Sequence, residues 1–146
     1  MWSVFAKLRS SQPSKPLTHN IGERGEEIAC NLLKKKGYRI LGRNLPLRFT
    51  EIDILAEAVD RDTVVLVEVK TRTRRLDTGP DAADKESLAA EFAVDQHKRD
   101  LLVKAARKLA SANDWHKRPL RIDVIAVELS DDPAACIVRH REDVVK

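Results

Sequence analysis

The chain has 146 residues, enough for one compact domain whose core needs no disulfide or metal staple. Charged residues make up 34% and aromatic residues only 4%, so the interior must be aliphatic, as in a small α/β layer protein, and an aromatic stacking platform for single strands is not expected. The net charge of +4 is uneven, with ten Lys/Arg against three Asp/Glu up to residue 50 and eight against thirteen from there to residue 100. A positive rim around a negative pocket would give this pattern, and so would solvated helix surface.

Residues 1–20, with Pro13, Pro16 and several serines, read as a flexible leader before a single domain over 21–146. The apolar opening is too short for a signal segment and no later run reaches membrane-spanning length, so a cytoplasmic protein without membrane contact is expected. Ile28, Ala29, Leu32 and Leu33 form one apolar stripe, which predicts a first helix over about 22–36 that stops at Gly37. A short strand over 38–41 follows, ending near Asn44 and Pro46. Residues 49–58 and 63–71, rich in β-branched and aliphatic side chains, make two more.

The stretch 72–86, with Gly79 and Pro80, reads as a polar loop, and the pattern allows a short helical piece over 87–93 after it. Leu101, Leu102, Ala105, Ala106 and Leu109 mark a second amphipathic helix. Strands over 121–129 and 135–139 close the order, separated by the turn Ser130-Asp131-Asp132-Pro133. The order is therefore α-β-β-β-α-β-β without internal repeats. Cys30 and Cys136 are isolated in apolar surroundings and read as buried free thiols. His19, His97, His116 and His140 show no metal-ligand spacing, and no phosphate-cradling glycine loop occurs, which disfavours zinc hydrolases and NTPases.

The chemistry concentrates in the second and third strands. A hairpin whose turn centres on Asp60-Arg61 sets Asp53 directly across from Glu68, and pairs Ile52 with Val69, Ile54 with Val67 and Ala56 with Val65 on the other face. Directly opposed carboxylates, with Cβ atoms roughly 4.5 to 5.5 Å apart, repel unless a cation, a shared proton or water intervenes. Mg²⁺ or Mn²⁺, held by one or two carboxylates and completed by substrate phosphate oxygens, fits that demand. Lys70 projects from the same face as Glu68 and could orient a hydrolytic water or stabilise charge on phosphorus. A wet sheet face, with Lys70 paired to Glu51, is the plainer explanation. Against it, Val64 and Leu66 lead up to Glu68 on the same face and look buried.

Gly25-Glu26 followed by Ala29 and Leu33, then Gly37-Tyr38, Ile40-Leu41, Arg43-Asn44, Glu51-Ile52-Asp53, and Val67-Glu68-Val69-Lys70 with Arg72 resemble the YraN-like family of predicted bacterial endonucleases, from about Gly22 to Val127. The resemblance implies a restriction-endonuclease-like α/β fold, with a central mixed sheet flanked by helices, and a distant relation to archaeal Holliday junction resolvases. It implies that Asp53, Glu68 and Glu26 are metal ligands and that Lys70 is the catalytic lysine. Read from the residues alone, Glu26 is a first-turn acid favoured by the helix dipole. Lys98 matches a family lysine that could meet a phosphate, whereas solvated helix charge is its ordinary explanation. Arg121 and Asp123 also match, but the alternation of Ile122, Val124 and Ala126 suits a structural role. Thr50 stands where the family usually has glycine, and the loop after Arg72 is longer than typical.

The expected function is a Mg²⁺- or Mn²⁺-dependent endonuclease on DNA, with branched or damaged DNA as candidate substrates and Arg72, Arg74, Arg75 and Lys98 among its phosphate contacts. The other expectation is a catalytically silent nuclease-fold module that holds nucleic acid or a protein. A homodimer would suit symmetric junction cleavage, by analogy alone.

Overall fold

The computed structural model describes residues 21–73 and 92–145. The elements are α1 (Ile21–Lys35), β1 (Arg39–Pro46), β2 (Glu51–Glu57), β3 (Val64–Thr73), α2 (Gln96–Ala112), β4 (Leu120–Leu129) and β5 (Ile137–Arg141), with a 3₁₀ turn at Pro133–Ala135 before β5. This is the expected α-β-β-β-α-β-β order. The sheet runs β1-β2-β3-β4-β5, antiparallel throughout except for the parallel β3/β4 pair, and helices cover both faces. Parallel pairing at β3/β4 follows from chain economy, because α2 lies between those strands and returns the chain to the same end of the sheet. The leader 1–20, Arg74, Arg75 and most of the loop 72–86 lie outside the described residues.

Each helix buries one apolar stripe. Ala29, Cys30 and Leu33 of α1 pack on Ile54, Ala56, Val65, Val67, Ile125 and Val127. Leu102, Ala105, Ala106 and Leu109 of α2 pack on the opposite face, against Leu45, Leu55, Val64, Leu66 and Ile122. With both faces covered, β3 and β4 can be apolar almost continuously, which is why neither alternates cleanly in sequence.

Gly37 ends α1 as its position suggested. At φ +90° its N–H bonds the carbonyl of Lys34 at 3.0 Å, and Tyr38 N–H reaches back to Leu33 O at 2.9 Å, the paired closure of a Schellman motif. Gly25 has a different duty. A Cβ there would stand 1.9 Å from Thr71 Oγ1, so the absence of a side chain is what lets α1 approach β3 so closely.

Several boundaries and one burial differ from expectation. β1 extends to Pro46 across a register irregularity between Ile40 and Gly42, which hides its alternation. Phe49 lies in the β1–β2 turn and not in β2, and β5 begins after the 3₁₀ turn, running to Arg141. Phe92 and Ala93 are not helical, while 87–91 lie outside the described residues. Cys30 is a buried free thiol, but Cys136 is only partly buried beside the α1 core.

A buried polar network braces β4, β5 and the chain after them. Arg121 donates to both oxygens of the fully buried Asp123 at 2.9 Å, and His140 Nε2 meets Asp123 Oδ2 at 2.8 Å. Asp143 N–H adds a bond to Asp123 Oδ1 at 2.9 Å, and Val144 N–H reaches Ile122 O at 2.8 Å. Burial pushes the Asp123 carboxyl up, but the bonds from His140 and Arg121 outweigh it and hold the group below its ordinary range. Arg121 and Asp123 thus carry the structural role that their sequence setting suited.

Candidate functional site

The β2/β3 hairpin turns on Asp60. Its Oδ1 accepts the Asp62 and Thr63 amides at 2.9 and 2.8 Å, its Oδ2 takes the Thr63 hydroxyl at 2.7 Å, and Arg61 adopts φ +61°. These amide bonds hold the Asp60 carboxyl down to about 2. The turn fixes the register, which runs from Glu57 opposite Val64 to Ile54 opposite Val67, as the apolar pattern predicted.

The ladder stops at Ile54 and Val67, and β3 continues as far as Thr73 paired with β4 alone. Asp53 and Glu68 are the next residues on each strand, so the two carboxylates sit at the fork where β2 and β3 part. Val69 N–H no longer finds a strand carbonyl on β2 and donates to Asp53 Oδ2 at 2.8 Å. The expected Ile52–Val69 pair is not formed. Ile52 turns into the α2 core while Val69 packs against the α1 core, because the strands have already diverged there.

Burial raises the pKa of both carboxyls. For Glu68 the charge of Asp53 adds to the rise, while Lys98 and Lys70 oppose it; for Asp53 the Val69 amide and Lys98 pull back against burial. Lys98, in the first turn of α2, brings its Nζ to 3.5 Å from Glu68 Oε2 and 3.3 Å from Thr50 Oγ1. Glu68 Oε2 is nevertheless buried without a hydrogen bond among the described residues. A buried carboxyl oxygen that no hydrogen bond satisfies, 3.5 Å from one ammonium and beside a second carboxyl, is a donor set that a hard divalent cation would satisfy.

The other expected residues are arranged less simply. Lys70 donates to Ala93 O, in the segment before α2, and its charge is still felt at Glu68. Glu26, raised mainly by burial, is hydrogen-bonded to the Asn44 side chain and feels the charges of Asp53 and Glu51, so it borders the site. Among the described residues no three His, Cys, Asp or Glu side chains converge closely enough to enclose one ion. Arg72 does not extend toward the fork: its guanidinium pairs with the buried Glu128 on β4, Nε to Oε1 at 3.0 Å, and Arg139 joins at 3.3 Å. Asn44, Thr50 and the Ala93 carbonyl were not foreseen as site partners, although Thr50 in place of a family glycine was a visible signal.

The fold and the fork together define a mixed α/β protein of nuclease-like architecture. The profile of the uncharacterised protein family UPF0102 matches residues 25–127, and the chain belongs to that family, the YraN-like family that its motifs resemble. A UPF0102 protein of Pelobacter propionicus is 40% identical over 121 residues, covering 83% of this chain and 79% of the relative. One from Pseudomonas aeruginosa is 37% identical over 111 residues, covering 75% and 79%, and one from Caldanaerobacter subterraneus is 36% identical over 112 residues, covering 77% and 82%. No described helix is long and apolar enough to cross a membrane.

Proposed function

We propose that this chain is a Mg²⁺- or Mn²⁺-dependent endonuclease that hydrolyses DNA phosphodiester bonds in the cytoplasm, with branched or damaged DNA as its preferred substrate. The observation that carries this reading is the pair Asp53 and Glu68 at the strand fork, with Glu68 Oε2 buried and lacking a hydrogen bond among the described residues. Asp53 and Glu68 would hold the metal, with Glu26 at the border of the site adding negative charge. When bound, such an ion supplies Lewis acidity, lowering the pKa of water and offsetting charge on phosphate.

The chain's own residues do the rest. Val69 N–H fixes the Asp53 carboxylate, which a metal site needs if its ligands are to be preorganised. Lys98 balances Glu68 in the metal-free protein and, once released, faces the incoming phosphate. Lys70 leaves the Ala93 carbonyl to orient the attacking water or to stabilise the pentavalent phosphorus.

The separation of the carboxylates into a pair instead of a triad favours a second reading, a nuclease-fold module that binds nucleic acid without cutting. Duplex, flap, single-stranded and four-way junction DNA, incubated with Mg²⁺ or Mn²⁺, distinguish the two. Cleavage that disappears in Lys70→Ala supports the nuclease; binding without any cleavage in wild type supports the module, and cleavage surviving the substitution sinks the assignment of Lys70.

A further inference from the structure

We infer that Phe49, Lys104 and Lys108 form a docking track for the phosphate backbone of duplex nucleic acid, leading along α2 to the carboxylate fork. The inference rests on the proposed nucleic-acid substrate and names a surface that neither the motifs nor the family match assigns. Lys104 Nζ lies 4.5 Å and Lys108 Nζ 5.7 Å from the centroid of the same Phe49 ring. Both lysines are exposed, and neither makes an ion pair among the described residues.

Two ammonium groups four residues apart on a helix repel each other, and sharing one ring draws them closer together. An anion between them would relieve that repulsion, and the ring holds both cations ready for it. Phe49 is also continuous with the site. Its neighbour Thr50 receives the Lys98 ammonium at 3.3 Å, and that ammonium is 3.5 Å from Glu68 Oε2.

From Lys98 to Lys108 the helix rises about 15 Å, at about 1.5 Å per residue. Laid along a duplex axis, that length covers roughly four base-pair steps of about 3.4 Å. A polyanion with repeated phosphates fits the Lys104/Lys108 pair on one flank of α2, with Lys98 nearer the fork. An anionic membrane fits less well, because the ring that would insert is covered by its own lysines.

The test measures binding of a fluorescent DNA duplex by the full chain in EDTA across a salt series. In Lys104→Gln/Lys108→Gln the slope of log affinity against log salt should shrink by about 0.9 per lost contact, roughly 1.8 for the pair, with affinity at about 0.1 M salt falling roughly tenfold. Arg61→Gln/Lys117→Gln, which removes the same charge elsewhere on the surface, should leave the slope near wild type. Phe49→Leu should give an intermediate loss, with far-UV circular dichroism and thermal unfolding checking the fold.

Equal slopes in the two double variants would reduce Lys104 and Lys108 to solvated helix charge and overturn the track. So would loss of binding to anionic vesicles with DNA binding intact. Because EDTA removes metal from the measurement, a failed track leaves the metal reading standing, and a failed metal titration leaves the track standing.

Discussion

The amide of Val69 donates to Asp53 Oδ2 at 2.8 Å, so a side-chain carboxylate takes over where the β2/β3 ladder ends. Asp53 therefore has a structural duty apart from any ion. Asp53→Asn keeps an acceptor for that amide while removing the charge opposed to Glu68, whereas Asp53→Ala removes both. In EDTA, Asp53→Asn should unfold above Asp53→Ala by about 1 kcal/mol or more, roughly 4 °C for a domain of this size. Coincident thermal curves for the two variants would show that the amide does not need the carboxyl.

The raised carboxyls make a prediction about pH. Burial raises Glu68 first and the Asp53 charge raises it further. A carboxyl with a folded pKa above its unfolded value binds extra protons in the folded state, so its contribution to stability is full below about pH 4 and is lost as pH rises through the raised folded value. Metal-free wild type should lose more stability between about pH 5 and about pH 7 than Glu68→Gln does, measured by urea unfolding at each pH. Parallel pH profiles would contradict the shift.

Metal and Lys98 compete for Glu68 in the proposed site. Mg²⁺ or Mn²⁺ at about a hundred times its Kd should stabilise the protein by about 2.7 kcal/mol, and Glu68→Gln should abolish the gain. Lys98→Met removes the ammonium 3.5 Å from Glu68 Oε2 and should tighten metal binding several-fold in calorimetry without DNA. Weaker binding in that variant would mean that Lys98 supports the ion instead of standing in for it.

Arg72 was expected to touch phosphate but is turned onto Glu128, whose side chain is 8% exposed. Arg72→Ala should cost about 1 kcal/mol of stability through this partly buried pair. Its effect on the salt slope of DNA binding should be small. A drop of a full contact in that slope, with unchanged stability, would restore the phosphate role.

How much of this was legible depended on whether the information was local. The turn at Asp60-Arg61 and the alternation around Ala56 and Val65 set the register, and with it the meeting of Asp53 and Glu68. Where Ile52 points was not legible, because both sheet faces are buried and an apolar residue says nothing about which core receives it. Lys98 reads as helix charge until β3 and α2 are brought together, and the partner of Arg72 lies 56 residues away on β4. Gly25 looked like part of a motif, and only the Thr71 contact shows the clearance that it provides.

The bonds from Asp143 to Asp123 and from Val144 to Ile122 show that likeness and folding have different borders. The family match ends at Val127, two residues before the end of β4, yet the fully buried Asp123 draws an amide and an imidazole from the chain beyond it. Trimming the protein to its matched segment would clip the end of β4, remove β5 and leave the buried Asp123 with Arg121 but without His140 and the Asp143 amide. The matched segment contains the fork, while the bonds that brace the fold extend at least as far as Val144.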